Sequence, residues 1–257
     1  MMVLKTSGEI DLMAEANRIV LEVIAAVGER IAPGVSTAEL DHLAYDLIHQ
    51  AGAAPAFLNY RGYPATLCTS VNDVIVHGIP SEHLHLEEGD IISIDCGALY
   101  EGYYGDAAKT FTVGAVVPEA TKLLETTRQS LEMGLEQVRP GAHLSDIGHA
   151  VQSYVEPRGF SVVREFVGHG IGTHLHEEPQ VPNYGDPGRG MRLKAGMVLA
   201  IEPMVNAGGP QVKIDADGWT ARTADGSLSA HFEYSVAVTA EGCRVLGRVA
   251  EAVGSGA

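Results

Sequence analysis

The chain repeats itself at a constant spacing. Leu86-Glu87-Glu88-Gly89-Asp90-Ile91-Ile92-Ser93-Ile94-Asp95 aligns, 107 residues later, with Leu193-Lys194-Ala195-Gly196-Met197-Val198-Leu199-Ala200-Ile201-Glu202. The same spacing carries Ile31-Ala32-Pro33-Gly34 onto Val138-Arg139-Pro140-Gly141, and Gly52 onto Gly159. Three matches in one register imply duplication, and duplication restricts the fold to two like halves. Each half reads as helix, Pro-Gly turn, helix, Gly, strands, and an acid closing an apolar strand. A pseudo-two-fold axis between the halves would bring Asp95 and Glu202 to equivalent places beside it.

Local signals agree. Thr6 to Glu9 forms a capping box, followed by Ile10, Met13, Ile19, Val20, Ile24 and Val27 at helical spacing and stopped before Pro33. Ser36 to Glu39 is a second box, with Leu40, Leu43, Leu47 and Ile48 on one face. A second helix pair is expected over about 118–138 and 144–156. Strands are expected at Ile91–Tyr100 and Tyr103–Val113, joined tightly at Glu101-Gly102, which would set Asp95 and Asp106 opposite each other. In His231-Phe232-Glu233-Tyr234-Ser235-Val236, alternation puts His231, Glu233 and Ser235 on one strand face. No low-complexity linker divides the 257 residues. We therefore expect one α+β domain over 1–257, with half-repeats about 10–106 and 117–233.

The chemistry lies in acids that occupy apolar runs. Asp95 follows Ile91-Ile92-Ser93-Ile94, and Glu202 follows Val198-Leu199-Ala200-Ile201. A charged carboxylate is costly to bury unless it is paired or holds a metal. With Asp106, Glu233 and the glycine-flanked His169, the set is four acids and one imidazole. That suits a pair of divalent cations and is too acidic for one tetrahedral structural zinc. The implied chemistry is metal-activated water attacking an acyl or phosphoryl centre.

Other motifs are excluded or set aside. Gly168-His169-Gly170-Ile171-Gly172 lacks the strand-GxGxxG-helix context of a dinucleotide site, and His174-Leu175-His176-Glu177-Glu178-Pro179 is not an HExxH helix. His174 and His176 could share a strand face. His83 and His85, among Glu82, Glu87 and Glu88, read as solvent-exposed; His42, His49, His143 and His149 lie on the helix pairs. His77 ends an apolar strand before a Gly turn, a good place for a site residue. No GxSxG or P-loop occurs. With 17 Lys and Arg against 33 Asp and Glu, a net charge of -16, non-specific nucleic-acid binding is disfavoured. Cys68, Cys96 and Cys243 form no CxxC, so a reducing cytoplasm is expected, with no signal peptide and no membrane span.

At Asn59-Tyr60-Arg61-Gly62-Tyr63-Pro64, Val71-Asn72-Asp73 with His77-Gly78-Ile79-Pro80, Gly168-His169-Gly170-Ile171-Gly172, His176-Glu177-Glu178-Pro179 and Ile201-Glu202-Pro203-Met204, the chain resembles the type I methionine aminopeptidases, metallopeptidases of the pita-bread fold. The resemblance runs from about Ile10 to Val245. It implies an internally duplicated α+β pita-bread fold with pseudo-two-fold symmetry, its central antiparallel sheets flanked by two helix pairs. It implies removal of N-terminal methionine from peptides and nascent proteins by hydroxide activated between two divalent metals, whether Co, Mn, Fe or Zn. Carried over, Asp95 chelates one metal, Asp106 and Glu233 bridge, and His169 and Glu202 hold the second. Glu202 shuttles a proton, His176 stabilises the oxyanion, and His77 contacts the scissile amide. Tyr60, Tyr63, Cys68, Leu175 and Trp219 line the methionine slot, and His77 and His176 also bind substrate.

Only 23 residues separate Glu178 from Glu202, too few for the insertion of type II members. Further expectations are a cytoplasmic monomer with a transient ribosome contact and no N-terminal extension. Because Met2 follows Met1, a chain starting there would keep its initiator. The competing readings are an Xaa-Pro aminopeptidase or prolidase of the same fold, a non-catalytic pita-bread binding protein, and a mononuclear iron oxygenase. The excess of acids argues against the last.

Overall fold

Among the described residues four α-helices form two pairs, and each starts where the local chemistry says it should. α1 (Ser7–Arg30) opens with the Thr6–Glu9 box: the Thr6 N–H donates to Glu9 Oε2 at 2.7 Å, and the Glu9 N–H returns to Thr6 Oγ1. α2 (Thr37–Gln50) repeats the device with Ser36 and Glu39. α3 (Pro118–Leu135) begins with a proline, whose missing N–H would have been unpaired there anyway. α4 (Leu144–Val155) begins where the His143 N–H donates to Asp146 Oδ2 at 2.8 Å. In the computed structural model residues 3–248 are described. Met1 and Met2, on which the retained-initiator expectation rests, and residues 249–257 lie outside them.

The ten main strands are β1 (Leu67–Val71), β2 (Val74–Val76), β3 (Ile91–Tyr100), β4 (Tyr103–Thr112), β5 (Gly168–Gly170), β6 (Glu177–Val181), β7 (Val198–Ile201), β8 (Met204–Asn206), β9 (Ser229–His231) and β10 (Glu233–Thr239). Among the described residues, an antiparallel sheet of nine strands runs through β3-β4-β10-β7-β5-β6, with β1 also paired to β3. Two three-stranded sheets accompany it, one containing β8 and β9 and the other containing β2. Glu101 at φ 47° and Gly102 at φ 84° make the two-residue turn between β3 and β4.

The duplication is written into the hydrogen bonds. The Gly34 N–H donates to the Leu86 carbonyl at 2.7 Å, and Gly141, 107 residues on, donates to Leu193 at 2.9 Å. The return bonds, Leu86 to Val35 and Leu193 to Ala142, keep the same spacing, as do the bridges Ser36–His85 and His143–Arg192. Gly89 donates to Val113 and Gly196 to Val238, which makes β4 and β10 counterparts. These two strands pair with each other, Ala108 against Glu233 and Ala107 against Tyr234, so the pseudo-two-fold axis passes at the Ala108–Glu233 pair. Each half has its own apolar core. Ile19, Val20, Val23, Ile24 and Val27 of α1 join Leu40 and Ile48 of α2 in one, and Leu123, Leu131, Ile147, Val151 and Val155 of α3 and α4 lie in the other. Burying each such side chain contributes about 1.5–3 kcal/mol.

Four sequence expectations are corrected. Asp95 faces Ala108, and Asp106 faces Gly97, so the two acids share a face but sit diagonally rather than opposite. The strand expected across residues 231–236 breaks at Phe232, where the chain passes from the small sheet of β9 to the large sheet of β10. Glu202 and Pro203 lie in the gap between β7 and β8, since proline cannot donate to a ladder. His174 and His176 share no strand: both precede β6, with His174 81% exposed.

Candidate metal centre

Five adjacent strands deliver the five expected ligands to one cavity. Asp95 comes from β3, Asp106 from β4, Glu233 from the first position of β10, Glu202 from the end of β7 and His169 from β5. The His169 Nε2 atom lies 3.5 Å from Glu202 Oε1 and 3.8 Å from Asp106 Oδ2. Asp106 and Glu233 are 4% and 2% exposed. Asp95 Oδ1, Asp106 Oδ1 and Glu233 Oε1 are buried with no hydrogen-bond partner. Unpaired buried acceptors of this kind cost several kcal/mol, and a cation removes that cost.

Burial first, then mutual repulsion, raises these acids. Burial lifts Asp95 to about 7, opposed by a hydrogen bond from Cys68. Asp106, Glu202 and Glu233 are pushed well above the carboxylate range by burial and by neighbouring acids. Without a counter-charge the cluster holds protons; with cations it does not need them. The donor set therefore fits divalent metal.

Second contacts fix the candidate ligands. His169 Nδ1 lies 2.9 Å from the Gly170 carbonyl. A carbonyl only accepts, so Nδ1 carries the proton and the Nε2 lone pair faces the acids. The glycines flanking His169 permit strand contact: a Cβ at Gly168 would strike the Ala200 carbonyl on β7, and one at Gly170 the Glu178 carbonyl on β6. On β4 the Asp106 N–H donates to Asn17 Oδ1 at 3.2 Å, and Asn17, buried on α1, donates to the Met13 carbonyl.

An apolar slot opens beside the acids. Tyr60, Tyr63, Cys68, Leu175 and Trp219 line it, with His77 and His176 at its junction with the acid cluster. The Tyr63 hydroxyl faces the Leu67 and Gly78 carbonyls at 2.9 and 3.0 Å, and its ring meets Trp219 edge-on at 5.2 Å. His176 Nδ1 is 2.8 Å from the Tyr60 hydroxyl. His77 has φ 61°, a left-handed conformation that costs energy outside glycine and recurs at functional sites. Burial lowers His77 to about 4; burial, followed by His169, Arg61 and His77, lowers His176 to about 3.

The comparisons with known proteins fit this geometry. The model of "Metallopeptidase family M24" matches residues 11–240. The chain belongs to metallopeptidase family M24. It is 52% identical over 249 residues to methionine aminopeptidase 1 of Bacillus subtilis, covering 97% of this chain and 100% of that one. Over 246 residues it is 50% identical to methionine aminopeptidase of Clostridium acetobutylicum, covering 96% and 98%. The crystal structure of methionine aminopeptidase from Thermotoga maritima superposes with a TM-score of 0.95 at 43% identity, covering 97% of this chain and 100% of that one. Membership in M24 implies divalent metal, and the fold is the pita-bread fold.

All the expected site residues of this M24 chain, from Tyr60 to Glu233, border the same cavity. His83 and His85 are exposed, as the sequence implied; His42 and His49 are exposed on the first helix pair, and His143 and His149 are partly buried on the second. Phe57, Arg61, Phe166, Met204 and His231 also line the cavity and were missed. For His231 a signal existed, its place two residues before Glu233 on one face. Arg61 and Met204 lie within the motifs Asn59-Tyr60-Arg61-Gly62 and Ile201-Glu202-Pro203-Met204, and Phe57 and Phe166 depend on long-range packing and left no signal.

Proposed function

We propose that this M24 metallopeptidase removes N-terminal methionine from peptides and nascent proteins, using two divalent cations held by Asp95, Asp106, His169, Glu202 and Glu233. The observation that carries the reading is the set of unpartnered buried carboxylate oxygens sharing one cavity with His169, with an apolar slot alongside. Asp95 would hold one ion and His169 with Glu202 the other, with Asp106 and Glu233 serving both. Bound divalent ions supply Lewis acidity toward the scissile carbonyl and a water acidic enough to deprotonate near neutral pH.

The chain's own residues do the rest. Glu202, at the edge of the acid cluster, takes a proton and returns it to the leaving amine. A Tyr60 hydroxyl donating to His176 Nδ1 leaves the Nε2–H to stabilise the oxyanion. His77 contacts the scissile amide. The slot accepts the methionine thioether against the Tyr60, Tyr63 and Trp219 rings and Cys68. Residues 1–257 act as one catalytic unit of two half-repeats, about 10–106 and 117–233, and as a monomer. The cysteines are unpaired, and among the described residues no helix is long and apolar enough to cross a membrane. A cytoplasmic setting with transient contact to ribosomes is consistent with both.

Hydrolysis of Met-Ala-Ser and of an Xaa-Pro peptide should be compared after chelation and after reloading with Co, Mn, Fe or Zn. Only the methionyl peptide should be cleaved, only by the loaded protein, and Asp106→Ala should abolish cleavage. Turnover of Xaa-Pro alone, or full activity in Asp106→Ala, would overturn the reading.

A further inference from the structure

His231 stands within the acid cluster with no role in the scheme above. It is 2% exposed, and its Nε2 is buried with no hydrogen-bond partner. That nitrogen lies 3.8 Å from Glu202 Oε2 and 3.9 Å from Glu233 Oε2. Both separations exceed a hydrogen bond. They match donors sharing one ion, since two donors each about 2.1 Å from a cation stand at most about 4.2 Å apart. Glu202 turns one oxygen toward each imidazole, Oε1 to His169 and Oε2 to His231. Glu202, His231 and Glu233 thus offer three donor atoms within 4.8 Å of one another, a second triad beside Asp106, His169 and Glu233.

We infer that His231 is a further ligand of the metal centre, binding through Nε2 a cation shared with Glu202 and Glu233. The backbone holds it there. Its N–H donates to Thr110 Oγ1 at 2.9 Å, and the same hydroxyl donates back to the His231 carbonyl at 2.8 Å. Symmetry places it as well. Asp106 and His231 each stand two residues before the members of the Ala108–Glu233 pair that marks the axis, so His231 is the second half's counterpart of a proposed bridging ligand. The donor set becomes four acids and two imidazoles, which shifts preference from Mn toward more nitrogen-seeking ions such as Co and Zn.

The inference rests on the metal centre proposed above, and the test separates the two. Pulsed electron paramagnetic resonance of the Mn-loaded wild type should show nitrogen couplings from two inequivalent imidazoles. His231→Gln and His231→Ala should each show one. In calorimetric titration with Zn these variants should lose at least ~10-fold in affinity for one ion, with a smaller loss for Mn. The wild-type spectrum decides the matter even if neither variant folds. A single imidazole in the wild type, or variants with unchanged couplings and isotherms, would overturn the role of His231 and leave the five-residue centre standing. A wild type that binds no divalent cation would overturn both.

Discussion

Asp106 and Glu233 are buried to a degree that carboxylates tolerate only with a partner, and each keeps one oxygen unpaired. The imidazoles around them are kept neutral by the same burial. Because His77 and His176 are lowered to about 4 and 3, both stay uncharged from pH 5 to 8. An uncharged His176 can donate one hydrogen bond to a developing oxyanion without first losing a proton. His176→Ala should therefore lower kcat by about 100-fold with little change in KM. The acid limb of its kcat/KM profile should keep the wild-type midpoint, since the groups titrating there are the acids. A limb that disappears in this variant would assign the titration to His176 and contradict the argument.

Positioning at the scale of elements depends on contacts between segments far apart in the chain. Before α1, Lys5 is tied down twice: its N–H donates to the Gly196 carbonyl at 2.7 Å, and its ammonium meets Glu177 Oε2 at 2.6 Å. Glu177 also accepts the His174 N–H at 3.2 Å, so this buried pair holds the loop that carries Leu175 and His176. Lys5→Ala leaves Glu177 without its partner and should destabilise the fold by ~3 kcal/mol. Replacing both residues, as Lys5→Met with Glu177→Leu, should recover most of that loss in urea melts. A single variant as stable as wild type would show that the pair holds nothing. On β5, Gly168→Ala should cost ~1–3 kcal/mol by forcing β5 from β7; an unchanged urea midpoint would contradict that contact.

These contacts also mark what the sequence could reveal. The capping boxes at Thr6 and Ser36 and the turn at Glu101-Gly102 were legible because their causes lie within four residues. The acids were legible because an Asp or Glu inside an apolar run conflicts with its surroundings. The diagonal of Asp95 and Asp106 follows by counting outward from the two-residue turn at Glu101-Gly102. The break at Phe232 was not legible: it depends on the pairing of β4 with β10, strands more than 100 residues apart, and periodicity along one strand carries no information about its neighbour.

For the whole molecule, the axis through Ala108 and Glu233 means that the proposed ligands come from both halves: Asp95 and Asp106 from the first, His169, Glu202 and Glu233 from the second. Cations bound there would join the halves and stabilise only the folded chain, by about 2.7 kcal/mol at a free concentration 100 times Kd. The sign of the pH dependence follows from the acids. In the metal-free fold burial raises Asp95 to about 7, and burial with neighbouring acids raises Asp106, Glu202 and Glu233 well above the carboxylate range, whereas an unfolded chain releases these protons near pH 4. Their contribution to metal-free stability is therefore lost as pH rises through that interval. His77, His176 and His231, lowered to between about 3 and 4, act in the opposite sense: their contribution is full above about 6.5 and lost as pH falls. The two trends oppose each other in the metal-free protein, so its melting temperature alone is a poor probe of the acids. The rise on adding metal isolates them, because the ions must displace carboxyl protons while the imidazoles are already neutral. The metal-induced increase in Tm should grow from pH 5.5 to pH 8 and vanish at both in Asp106→Ala. An increase independent of pH in the wild type would mean that the ions bind somewhere other than among these acids.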